Sequence, residues 1–67
     1  MKTFYFTFGH GQKHWGFYKK IQAIDSLAAR RQMFDEFGQK WSMQYSEEAW
    51  FEDGESQAEK WDYKELI

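Results

Sequence analysis

The sequence predicts a small α+β domain of order ββαβα, with a helix packed on one face of an antiparallel sheet. Three observations predict it. Two N-terminal runs alternate apolar and polar residues with period two, the next stretch switches to period 3.6 between a helix start and a helix stop, and a third alternating run follows. No proline and no repeat interrupts residues 1–67, so a single domain is expected.

The first run, KTFYFTF (residues 2–8), puts Phe4, Phe6 and Phe8 on one face and Thr3, Tyr5 and Thr7 on the other. All are residues that pack well on a pleated surface, so it reads as a strand. The second, WGFYKKIQAI (15–24), groups Trp15, Phe17, Ile21 and Ala23 against Tyr18, Lys20 and Gln22. Lys19 falls on the apolar side, where its stem packs along an edge or that end stands open. The two strands are joined through Gly9 to His14, where Gly9 and Gly11 tolerate the positive φ of a turn and Gly16 allows a bulge.

DSLAARRQMFDEFG (25–38) then opens with Asp25 and Ser26 as candidate N-caps and closes with Gly38 at the C′ position. On a helical wheel Leu27, Met33, Phe34 and Phe37 share an arc, with Arg31, Gln32, Asp35 and Glu36 opposite. Arg30 sits inside the arc and is expected to snorkel or stack on an aromatic. A third strand follows in KWSMQY (40–45), with Trp41, Met43 and Tyr45 on one side and Ser42 and Gln44 on the other. A helical turn is expected from Ser46, then an Asp53-Gly54 turn. A last helix opens with a capping box at Ser56 and Glu59, runs through KWDYKEL (60–66) and is anchored by Trp61.

Composition narrows the function classes. Seven Phe, four Tyr and four Trp are more large rings than so short a chain encloses easily, so some are expected at the surface, in a contact site or a dimer interface. The absence of Cys excludes disulfides and thiolate metal sites. No apolar run approaches the roughly 20 residues of a membrane span, and the N-terminus lacks the aliphatic stretch of a signal peptide, so a soluble protein in the bacterial cytoplasm is expected.

Charge is distributed unevenly along the chain. Residues 1–32 hold six Lys or Arg and one acid, Asp25, whereas residues 33–67 hold three Lys and ten acids. Between Glu47 and Glu59 there are six acids and no base, interrupted by Trp50 and Phe51. Such a run is either a solvated face or an acidic, aromatic-bearing surface that docks on a basic partner. On the second reading the contact residues are Glu47, Glu48, Trp50, Phe51, Glu52, Asp53 and Glu55.

Other chemistry has less support. Gly9-His10-Gly11 follows a strand, but phosphate-binding glycine loops lead into a helix, and here another strand comes next. His10 and His14 have no nearby Cys or carboxylate to complete a metal site, so neither a metal nor a cofactor is expected. They and Lys13 form a basic loop tip. Ser26, Ser42, Ser46 and Ser56 fall at caps or on a polar strand face, and no enzyme is expected. Nucleic-acid binding is the stronger alternative: Lys13, His14, Trp15, Lys19, Lys20, Arg30 and Arg31, with exposed Tyr5 and Tyr18, form a basic platform for stacking bases, against which stand the acidic second half and a pI near 5.6.

The stretches YFTFGHGQ (5–12), GFYKKIQAID (16–25), AARRQMFDEFGQKW (28–41) and QYSEE (44–48) resemble a group of small proteins encoded by phages and other mobile elements of low-GC Gram-positive bacteria. The group has no catalytic motif, so the resemblance transfers a setting and no functional residue. That setting implies action on host defence through binding of a host protein, as anti-CRISPR proteins do, with a CRISPR effector nuclease as the leading partner and nucleic-acid mimicry as the mechanism. A nucleic-acid-binding accessory protein and a phage structural or assembly component, dimerising through surplus aromatics, are the alternatives.

Overall fold

The alternation of the first strand buries both of its faces. A computed structural model describes residues 1–52 and 55–66, and the side chains of all of these except 52 and 55–57. Strand β1 (Lys2–Thr7) pairs antiparallel with β2 (Phe17–Ala23), Phe4 opposite Ile21 and Thr7 opposite Tyr18. Its other edge pairs antiparallel with β3 (Met43–Ser46), Tyr5 opposite Tyr45. The fold is thus α+β, with the predicted hairpin, helix and third strand in place.

On one face Phe4, Phe6, Phe8, Ile21 and Ala23 form a core with Ala29 and Met33 of helix α1 (Ser26–Phe37). Each of the large side chains contributes roughly 1.5–3 kcal/mol when fully enclosed. The helix begins where the caps predict: an Asp25 carboxylate oxygen accepts from the Ala28 N–H at 2.8 Å. It ends at Gly38, whose φ of 62° lies in the left-handed region that glycine tolerates.

The helix is rotated relative to the predicted arc. Ala29, Met33 and Phe37, spaced four apart, face the sheet, and Leu27 and Phe34 are exposed. The small Ala29 side chain permits close approach, and Leu27 and Phe34 lie roughly 100–120° round the axis from Met33. Arg30 stacks as expected, its guanidinium carbon 5.6 Å from the Trp41 ring centroid and 6.0 Å from that of Phe34. Lys19 lies opposite the buried Phe6 with its side chain 21 % exposed, and its ammonium reaches a Glu36 carboxylate oxygen at 3.8 Å.

The C-terminal third departs further from expectation. A short helix α2 (Glu47–Trp50) is capped by the Ser46 hydroxyl, which accepts from the Ala49 N–H at 3.2 Å, as the sequence predicts. Then β4 (Phe51–Glu52) pairs antiparallel with β5 (Glu55–Ser56); the expected Asp53-Gly54 turn lies outside the described residues. Helix α3 (Gln57–Trp61) starts directly after Ser56 but stops at Trp61, short of the predicted end. Asp62 adopts φ 56°, and the Tyr63 N–H donates to the Ala58 carbonyl at 2.9 Å, a six-to-one bond that closes the helix in a Schellman motif. The predicted helical tail is instead strand β6 (Lys64–Glu65), parallel to β2 and joined by Lys64 N–H to Gly16 O at 3.1 Å and Leu66 N–H to Tyr18 O at 2.7 Å. The sheet order is β3-β1-β2-β6.

Candidate partner-binding surface

The second face of the sheet carries Tyr5, Thr7, Tyr18 and Tyr45, which the sequence reads as its polar side. It is covered. Trp50, 1 % exposed, stacks on Tyr5 with ring centroids 4.8 Å apart and planes 4° apart, and meets Tyr18 at 5.1 Å and Tyr45 at 5.4 Å. Tyr5 itself is 5 % exposed. Burial raises the pKa of all three phenols, with Glu47 adding to the effect at Tyr5, Glu65 at Tyr5 and Tyr18, and Tyr63 at Tyr45.

Two expectations are corrected by this cluster. Trp50 is not a surface contact: its indole is buried in a second apolar layer against the rings of Tyr5, Tyr18 and Tyr45. Tyr5, for the same reason, offers no platform for a base. Phe51, the next residue, does reach the surface at 46 % exposure, with its edge toward Tyr5 at 5.9 Å.

Trp50 also fixes its neighbours. Glu47 and Glu48 form the first turn of α2 and are exposed, and neither has a cation within 4.0 Å among the described residues. Their position at a helix start is electrostatically favourable. The outcome is a pair of carboxylates outside any salt bridge among the described residues, beside an exposed phenylalanine, and they line one opening together with Met1 and Lys2. Of the remaining acids in the predicted contact set, Asp53 and the side chains of Glu52 and Glu55 lie outside the described residues.

The basic set is scattered. Lys19 is taken up by Glu36, Lys20 lies opposite Tyr5 on the second face, and Arg30 stacks over Trp41 beside an exposed Arg31 on α1. Trp15 lies in the β1–β2 loop instead of on strand β2, 53 % exposed, with its ring 5.0 Å from His10. The loop is closed on itself by N–H to carbonyl bonds from Gln12 to Gly9, Trp15 to Gln12 and Phe17 to His14, at 3.0–3.1 Å. The Gly9 N–H also donates to the Gln12 side-chain carbonyl. Gly11 and Gly16 take φ of 90° and 92° within it.

The two histidines have different surroundings. His14 packs edge-on against Phe8 and Phe37, and His10 against Trp15. Among the described residues no three His, Cys, Asp or Glu are grouped to hold a metal ion.

The chain matches no family model, no curated protein and no solved structure. No helix among the described residues is long and apolar enough to cross a membrane.

A further opening escaped the sequence reading. A shallow opening of about 440 Å³ lies at the end of the second face, lined among the described residues by Thr7, Met43, Tyr45, Trp15, Trp61 and Tyr63 with others of the β1–β2 loop. Trp61, expected as the anchor of the last helix, is 50 % exposed. The signal lies in residues 46 positions apart in the chain, which only the parallel docking of β6 against β2 brings together.

Proposed function

We propose that this is a non-enzymatic protein, of phage or mobile-element origin, that inhibits a nucleic-acid-handling host-defence protein by occupying its basic surface. The observation that carries the reading is the seating of Trp50 on Tyr5, which holds Glu47, Glu48 and Phe51 together at the surface, with neither carboxylate in a salt bridge among the described residues. Carboxylates on a fixed turn meet a row of Lys or Arg without first losing chain entropy, which favours fast, salt-sensitive association. Phe51 supplies the dry contact that charge alone lacks.

The basic-platform alternative has weaker support. Its residues lie on different faces, and Tyr5 is buried.

The test is capture from a Gram-positive host lysate on the immobilised protein, beside a variant with Glu47, Glu48, Glu52 and Asp53 all changed to their amides. The reading expects a nucleic-acid-handling protein, retained by the wild type, lost with the variant, and displaced by added oligonucleotide. Equal retention by the variant, or retention indifferent to oligonucleotide and salt, removes the mimicry.

A further inference from the structure

Helix α1 leaves one flank to solvent. Leu27, Arg30, Arg31 and Phe34 lie together on it, roughly 60–160° round the axis from the buried Met33. Leu27 is 58 % exposed and Phe34 43 %. Both arginines are exposed, and among the described residues neither guanidinium has a hydrogen bond or an acid within 4.0 Å, Asp35 one turn on from Arg31 included. Arg30 is nevertheless held in place. Its guanidinium carbon is 5.6 Å from the Trp41 ring centroid, and the Trp41 indole N–H is itself donated to the Gly38 carbonyl at 3.1 Å. A guanidinium stacked on a ring keeps its N–H edge open, and one already positioned loses little freedom when it pairs.

A basic flank with apolar side chains on it takes an acidic partner with apolar side chains, and this chain presents such a surface. Glu47, Glu48 and Phe51 are exposed on and beside α2, with neither carboxylate in a salt bridge among the described residues, that of Lys2 in the same opening included. Two cations with two apolar side chains thus face two anions with one ring. The two surfaces do not meet within one molecule, because α1 packs on one face of the sheet and Trp50 of α2 on the other. They meet only between copies. A formal net charge of −2 gives two copies little mutual repulsion, whereas the sorting of charge along the chain, six bases and one acid in residues 1–32 against three bases and ten acids in 33–67, gives each copy both halves of the match.

We infer that copies of this chain associate, the flank of Leu27, Arg30, Arg31 and Phe34 on one copy seated on Glu47, Glu48 and Phe51 of another, with the Arg30 guanidinium donating to a carboxylate. Charge-assisted bonds of the guanidinium edge fix the orientation, and the apolar side chains supply the dry contact. Exposed charge pairs act mainly on association rate and are screened by salt, so the contact is weak and salt-sensitive. It covers the acidic turn, so self-association competes with any other ligand of that turn. The inference does not require the host-defence reading and stands if that reading fails.

Charge exchange between the two surfaces tests it on the full chain. The measurement is sedimentation equilibrium over a dilution series at low and at high salt, with circular dichroism confirming that each variant is folded. The wild type should gain mass with concentration at low salt and lose that gain at high salt. Arg30→Glu with Arg31→Glu, and separately Glu47→Lys with Glu48→Lys, should each abolish the gain, since each leaves two like-charged surfaces. An equimolar mixture of the two variants should associate at least about tenfold more tightly than either alone, because one intact acidic turn then meets one intact basic flank. Leu27→Ser, at an exposed site and without change of charge, should weaken wild-type association severalfold.

A wild type that stays monomeric throughout at low salt overturns the inference. So does association that either reversal leaves unchanged, which assigns the contact to another surface, or a mixture of the two variants that stays monomeric. Binding of polyglutamate or of a thymidine decanucleotide to the arginine flank by a chain that remains monomeric overturns it too, and gives the flank to a foreign ligand.

Discussion

The Trp50 indole lies flat on the Tyr5 ring, centroids 4.8 Å apart and planes within 4°, on the side of the sheet away from helix α1. That contact makes the sheet a middle layer instead of a floor. It also ties an acidic turn near one end of the chain to the central strand near the other.

Trp50→Ala is therefore a core truncation, expected to cost about 3–5 kcal/mol. A chain of this length has about 3–10 kcal/mol in all, so the variant should be largely unfolded or close to it at 25 °C in urea titration. Trp61→Ala, at a half-exposed ring, should cost about 1 kcal/mol or less by the same measure.

The tyrosines make the fold sensitive to alkali. Tyr5, Tyr18 and Tyr45 have folded-state pKa values raised above the ordinary phenol value, chiefly by burial. The folded state therefore holds these protons more tightly than the unfolded chain does, so their contribution is fully present below the unfolded value near 10 and is lost as pH rises through the folded values. Tyrosinate absorbance should rise together with unfolding above about pH 10. Ionisation of Tyr5, Tyr18 and Tyr45 at the free phenol value in a still-folded protein contradicts the buried cluster.

Asp62 closes α3 in a left-handed conformation, which a β-branched side chain resists. Asp62→Val should lower stability by about 1–2 kcal/mol, visible as a drop in Tm of several degrees, whereas Asp62→Gly should leave it unchanged or higher. Equal Tm values for the two variants contradict the Schellman closure that turns the chain into β6.

The Lys19–Glu36 pair spans 3.8 Å between side chains that are 21 % and 52 % exposed, so solvent screens it. Lys19→Met keeps the packed stem and should change stability by less than about 1 kcal/mol in denaturant titration. A larger loss gives the charge a role that this geometry does not.

How far the sequence carried depends on where each signal sits. The hairpin, the Asp25 and Gly38 limits of α1 and the Ser46 cap rest on neighbouring residues, and all three are legible. The second aromatic layer is not, because Tyr5, Thr7 and Tyr18 present hydroxyls and read as a wetted face until Trp50 is placed over them. Strand β6 is two residues long and parallel, so its pairing with β2 depends on tertiary docking and not on local propensity. The candidate site was half legible for the same reason: the charge of Glu47 and Glu48 stands in the sequence, but which of Trp50 and Phe51 faces out is decided by the sheet.

The most direct measurement of the account is acrylamide quenching of two single-tryptophan proteins, one retaining Trp50 and the other Trp61, with the remaining tryptophans changed to Phe. The seating of Trp50 on Tyr5 beneath the acidic turn predicts a quenching constant severalfold lower for Trp50 than for Trp61. Equal quenching of the two in folded protein contradicts it, and with it the anchored presentation of Glu47, Glu48 and Phe51.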